Sequence, residues 1–314
     1  MGSYIIRRIL KMIPTFLLMS VMIAGLLRLL PGDVVTIMAG ELGYADDSDD
    51  MRELLGLNQP FYRQYLNWMG GVFTGDFGVS LWNHRPVMSE LAWRLPMTLE
   101  LAAFAMLINI GIGIPIGILA ATRQDTWIDH LSRSVAILAI AAPTFWIATM
   151  VLVFPASWFG WTPSTSWVPL TEDPVANFKV VIVPALILGF AFQGRTVRLL
   201  RAMLLEVMRQ DYIRTAWAKG LNERVIVSRH ALKNALIPVV TLLALEVPLL
   251  LGGTVIIEQI FNLPGVGRYM LDLLLNRDFV PVQTIVLLMA GVVMVLNLLV
   301  DISYAWLDPR IRYK

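Results

Sequence analysis

Six apolar runs limit what this chain can fold into: Ile9–Leu30, Met97–Ala121, Leu131–Phe159, Val180–Phe192, Leu236–Ile257 and Val282–Leu307. A helix crosses a bilayer with about 20 mostly apolar residues, and in lipid it satisfies its own backbone hydrogen bonds. The runs therefore predict an all-α integral membrane protein with six transmembrane helices. The fourth run is the shortest and carries Pro184 and Gly189; it spans if its helix continues toward Arg195. Composition agrees, since charged residues make up 15% of the 314, against about 25% in soluble domains.

Arg7, Arg8 and Lys11 precede the first run, as in a signal peptide. The apolar stretch is longer than a usual signal core and no A-x-A-like site follows, so a retained anchor is expected. Charge then sets orientation through the positive-inside rule. Both ends of the chain are basic, with Arg310, Arg312 and Lys314 after the last run. From Arg195 to Lys233 nine bases face three acids, whereas from Gly32 to Leu95 nine acids face four arginines. Both termini and the 195–235 loop are therefore expected in the cytoplasm, with residues 32–96 outside. Three parts follow: 1–31 with the first helix, an external loop domain over 32–96, and a membrane core over 97–314.

The external loop is not a plain linker. Phe61, Tyr65 and Trp68 recur at near-helical spacing before a Gly-Asp-Phe-Gly turn, which predicts a small folded cap. Asp46, Asp47, Asp49 and Asp50 precede it as a solvated, N-capping patch or a divalent-cation site. The chain has no cysteine, and His84, His130 and His230 have no metal-ligand spacing. It also has no G-x-x-x-x-G-K-[ST] loop to cradle ATP phosphates.

The segment that asks for a function is DYIRTAWAKGLNERVIVSRHALKNALIP, Asp211 to Pro238. Asp211 suits an N-cap, Tyr212 to Lys219 a two-turn helix, and Gly220 a left-handed stop. Asn222 can cap a second helix through Val225, Ile226, His230 and Ala235, with Pro238 at the start of the fifth span. Ala216 and Ala218 leave a low surface over which another protein's groove can close. A solvated basic loop meeting anionic lipid is the alternative.

These residues resemble the EAA loop of ABC-importer permeases of the dipeptide/oligopeptide/nickel branch, where it reads like DYIRTARAKGL followed by HALRNALIP. Arg214, Thr215 and Ala216 occupy the EAA positions and Gly220 its glycine; Trp217 is bulkier than the residue the branch carries there. RRILKMIPTFLLMS, LGLNQPFYRQYLNWM with GDFGVSL, RLPMTLELA, EQIFNLPGVGR and LLVDISYAWLDPRIR are similar to the same family, in the same order along nearly the whole chain.

The resemblance implies a type I ABC importer permease fold with a cytoplasmic coupling helix. It implies four kinds of partner besides the lipid bilayer: a homologous second permease, two ABC ATPase subunits that carry ATP and Mg, an external substrate-binding protein, and a di- or oligopeptide cargo. Nickel chelates, glutathione or another small solute are cargo alternatives. No cofactor in this chain and no nucleic-acid partner are expected, and the location implied is a bacterial-type inner membrane. The coupling residues would be Asp211, Tyr212, Arg214, Thr215, Ala216, Lys219, Gly220 and Leu221. Asn262, Leu263, Pro264, Gly265 and Gly267 would contact the binding protein or line the external mouth.

Polar residues inside spans are expensive and need a reason. Glu246, beside Pro248, reads either as a pathway group for a cationic substrate end or as a carboxyl kept neutral or paired with the partner permease. Asn109 and Asn297 are the other pathway candidates, with interhelical hydrogen bonding as their plainer role. Asp301 suits a salt bridge with a loop arginine. A secondary transporter would show broken helices in related halves, and an intramembrane enzyme a convergent His/Asp/Ser set; neither pattern is present in the sequence.

Overall fold

A computed structural model describes residues 2–29, 35, 52–53, 56–164 and 166–307. Among the described residues there are ten helices of eight residues or more, and the one β feature is an antiparallel bridge between Val79 and Pro86. The helices are α1 (Gly2–Arg28), α2 (Phe61–Thr74), α3 (Val87–Thr122), α4 (Trp127–Ala141), α5 (Thr144–Phe159), α6 (Pro174–Met208), α7 (Asp211–Ala218), α8 (Leu232–Ile260), α9 (Val266–Leu275) and α10 (Phe279–Leu307).

Five of these are long and apolar enough to cross a membrane: α1, α3, α6, α10, and α8 with the turns that lead into it from Glu223. The run expected as one helix over Leu131–Phe159 is instead two, α4 and α5, bent by 97°; taken together they supply a sixth span. The break falls at Ala142–Pro143. Proline offers no N–H and disfavours helical geometry in the residue before it, and Ala142 is accordingly extended, with ψ of 125°. The short fourth run does continue past Arg195, to Met208, within a 35-residue helix. Asp173 starts that helix, accepting from the backbone N–H groups of Val175 and Ala176 at 3.0 Å each, with Pro174 behind it.

The chain forms two compact units, residues 1–96 with 265–314, and 97–264. Residues 265–314 thus group with the first part of the chain rather than with the core over 97–264. In the first unit α1 packs along α10. The Ser20 and Tyr65 hydroxyls lie 2.8 Å apart, and the Trp68 indole donates to Thr284 at 3.0 Å. Helix α2 stops at Gly75, with φ of 86°. An apolar cluster of Val87, Leu91, Val266, Tyr269, Leu273, Val282 and Ile285 fills this unit. The acidic patch Asp46–Asp50 and Arg310, Arg312 and Lys314 lie outside the described residues.

In the second unit α6 packs against both α4 and α8. Small residues allow the close approach. A methyl on Gly194 would stand 2.5 Å from the Ala136 carbonyl oxygen of α4, and one on Gly189 2.9 Å from the Ala105 carbonyl of α3. Between Asn222 and α8 the chain does not run as a plain helix into the span. Asn222 accepts from the Val225 N–H at 3.0 Å, as expected of a cap. Ile226–Ala231 then wind as a π-helix, with the Leu232 N–H bonded five residues back to Val227.

Candidate functional site

Helix α7 has two faces of opposite character. Ile213 and Ala216 are buried in an apolar cluster with Ala121, Leu200, Leu204, Ile226, Val227, Ala231, Ala235 and Val239, and Leu221 packs on its edge. Tyr212, Arg214, Thr215, Trp217, Ala218 and Lys219 are exposed on the other side. The expectation that Ala216 offers a low outer surface is therefore corrected. At i, i+3 from Ile213 it shares the inner face, and its small side chain lets α7 lie close on its own chain.

Two further details of the loop differ from expectation. Asp211 is the first helical residue, not the cap; Gln210 holds the cap position and makes no side-chain bond there. The Asp211 carboxylate stays in solvent, 3.4 Å from Arg214, where an acid at a helix N-terminus opposes the positive end of its dipole. Tyr212 exposes its ring but turns its hydroxyl toward the chain, accepting from the Asn234 amide at 2.8 Å and donating to the His230 carbonyl at 3.4 Å.

Gly220 ends α7 in the left-handed region, φ 78°. Its N–H bonds to Trp217 at 2.9 Å and the next, of Leu221, reaches Ala216 at 3.4 Å, a Schellman stop. The loop is thus a rigid knob, stapled to α6 and the foot of α8 by apolar contact, with a polar and aromatic outer face.

Deeper in the same unit Glu246 is buried, and its carboxylate accepts from the Asn109 amide at 2.8 Å, linking α8 to α3. Within this chain Glu246 is thus enclosed between α8 and α3, with Asn109 as its interhelical partner. Gln193 and Thr196 of α6 are also buried, with side-chain atoms that lack a protein partner. Sequence reasoning missed them because it ended the span at Phe192. Their signal is two polar residues three apart on one helical face. Asn297 is half-buried in α10 of the other unit, and the side chain of Asp301 lies outside the described set.

The turn at Asn262–Gly267 is also more inward than expected. Asn262 is exposed, with φ of 57°, and Pro264 is half-buried, but Leu263, Gly265 and Gly267 are buried. The Leu263 N–H reaches back to Glu258 at 2.8 Å, another Schellman stop. Of these five residues the closing turn draws Leu263 inward and leaves Asn262 and the edge of Pro264 exposed. Nearby in its unit, Glu258 accepts from the Thr98 hydroxyl at 2.7 Å.

Two further polar contacts escaped the sequence. Arg201 of α6 forks onto Asp129 of α4 through two bonds of 2.6 Å. In the other unit, buried Asp278 accepts from the Ser80 hydroxyl at 2.7 Å and from the N–H groups of Leu81 and Trp82 at 2.9 and 3.4 Å.

The described residues form apolar helices long enough to cross a membrane, with a docked short helix whose outer face is polar and aromatic. Residues 113–313 match the family described as "binding-protein-dependent transport system inner membrane component", and residues 1–102 match its N-terminal companion. The chain belongs to that family: it is a multi-pass inner-membrane transport permease, and the secondary-transporter alternative falls away.

A putative peptide transport system permease protein of Brucella abortus (strain 2308) is 39% identical over 313 residues, covering all of both chains. The dipeptide transport system permease protein DppB of Escherichia coli (strain K12) is 37% identical over 338 residues, again covering all of both. The fold matches a chain of the inward-facing MetNI methionine ABC transporter, with a TM-score of 0.56 at 18% identity over 70% of this chain and 97% of that one. That likeness gives the type I importer permease fold.

Proposed function

We propose that the chain is one half of the membrane pore of an ATP-driven, binding-protein-dependent importer of di- or oligopeptides. A homologous second permease supplies the other half. Two ATPase subunits, carrying ATP and Mg, dock on the outer face of α7, and an external binding protein delivers cargo. Both termini lie in the cytoplasm with α7. The observation that carries this reading is the division of α7: Ile213 and Ala216 anchored within the chain, Arg214, Thr215, Trp217 and Lys219 exposed on the outer face. The relatives named for peptide and dipeptide transport support the cargo class.

When ATP closes the paired ATPases, a knob held this firmly passes displacement to α6 and α8 instead of bending.

The test is co-purification of ATPase subunits with a tagged chain, followed by uptake of labelled dipeptide into reconstituted vesicles. Thr215→Arg, on the exposed face, is expected to abolish both while leaving the chain in the membrane. Normal association in that variant removes the docking assignment. Uptake of a nickel chelate or glutathione in place of peptide overturns the cargo class and leaves the coupling reading standing.

A further inference from the structure

We infer that Asp129 and Arg201 are positioning residues that make α4 and α6 move as one body, so that displacement of α7 reaches the Ala142–Pro143 corner. This rests on the coupling reading of α7 given above. Asp129 is fully buried, and Arg201 grips both of its oxygens at 2.6 Å. The Asp125 N–H donates to the same carboxylate at 3.0 Å, which ties in the turn between α3 and α4. A forked guanidinium–carboxylate pair of this kind fixes orientation as well as distance.

The pair is one fixed point between these helices, and the close approach of Gly194 to the Ala136 backbone is another. Asp129 and Ala136 are seven residues apart on α4, as are Arg201 and Gly194 on α6, so the points lie about 10 Å apart on each axis. Two such points prevent both sliding and rocking of antiparallel helices. Leu200 and Leu204, which flank Arg201, pack in the same cluster as Ile213 and Ala216 of α7, and two residues connect α6 to α7. A push on α7 is therefore delivered to α6 beside Arg201. With α4 clamped to α6, the next break in the helix along the chain is the 97° bend at Ala142–Pro143.

Stability alone does not account for the arrangement, because a buried ion pair stabilises little more than an apolar pair of the same volume. Its geometric strictness is what an apolar pair lacks.

The test uses the complete complex in proteoliposomes, with ATP hydrolysis and dipeptide uptake measured together. Asp129→Asn and Arg201→Lys are each expected to raise the ATP hydrolysed per solute by about tenfold, with ATPase subunits still bound. The exchanged pair D129R/R201D is expected to restore a large part of the ratio. A merely structural role would lower assembly and uptake together and leave the ratio alone. A wild-type ratio in both single variants overturns the inference.

Where the single variants fail to accumulate, a second measurement decides. Cysteines at positions 133 and 198, exposed one turn from the intact Asp129–Arg201 pair and joined by a short bifunctional linker, are expected to keep uptake, because the helices do not move relative to each other. Uptake lost on linking and regained on cleaving the linker overturns the inference. If ATPase subunits do not bind the wild-type chain at all, the coupling reading has failed instead.

Discussion

The ends of α7 and α9 use the same backbone geometry and different residues. At α7 the left-handed position is Gly220, with φ of 78° and nothing within 4 Å of where a side chain would begin. At α9 it is Arg277, with φ of 52°; the Arg277 N–H bonds to Leu274 at 3.1 Å and the Asp278 N–H to Leu273 at 2.9 Å. A non-glycine residue there costs about 1 kcal/mol or more, so something must hold it. Asp278, the very next residue, does so: it is buried and takes three donors from Ser80, Leu81 and Trp82. No such hub follows Gly220. One turn is pinned from outside and tolerates strain, while the other relies on glycine and on the apolar underside of its helix.

The largest effect expected from breaking that contrast is at the underside. Ala216→Arg drives a guanidinium into an apolar cluster, a burial that costs several kcal/mol. The chain is expected to disappear from membranes by immunoblot, whereas Thr215→Arg, one residue away, leaves it in place. Equal abundance of the two would mean that α7 is not docked as described.

Next is the pin itself. Asp278→Ala strips an acceptor from three donors and is expected to cost the first unit about 2–3 kcal/mol. Faster hydrogen exchange over residues 78–94, with no change over 211–221, is the signature. Burial pushes the Asp278 carboxyl above the ordinary carboxylate range, outweighing the lowering by Ser80 and by the Trp82 and Leu81 N–H groups. The folded unit therefore keeps this proton to higher pH than the unfolded chain does. Protection of 78–94 should decline as pH rises between those two values and then level off. Asp278→Asn should flatten that slope while keeping an acceptor in place, and an unchanged slope would exclude Asp278 as its source.

The smallest effects separate backbone strain from contact at Gly220. Gly220→Val is expected to cost about 1–2 kcal/mol through φ alone. Gly220→Asn, which tolerates this region, should cost only a few tenths. Exchange rates of the Leu221 amide measure both, and equal losses would point to a packing clash the structure does not contain.

The contrast also marks what could be read without coordinates. Gly220 and the Asn222 cap were legible because glycine and asparagine carry those conformations in their chemistry. The spans were legible as apolar runs, but the Leu131–Phe159 run hid its corner, since Pro143 can kink a membrane helix or break it and hydropathy does not distinguish the two. Arg277 gave no signal, because arginine has no preference for the left-handed region and its support, Ser80, is far away in sequence. The Asp129–Arg201 pair was hidden for the same reason. Ala216 was misplaced because a two-turn helix has too few apolar residues for its inner face to be assigned from spacing alone.

The π-helical stretch Ile226–Ala231 adds a consequence for the span it feeds. A π turn contains one residue more than an α-helix needs for the same bonding, so this joint stores surplus chain at the foot of α8. Releasing that residue into ordinary winding would rotate all of α8 by about 100° relative to Asn222, with no backbone hydrogen bond within α8 broken. Glu246 would swing away from Asn109, and a carboxyl now sealed between helices would be carried toward a different neighbour. The carbonyl of His230, which sits within the π stretch, is the atom that the Tyr212 hydroxyl of α7 touches.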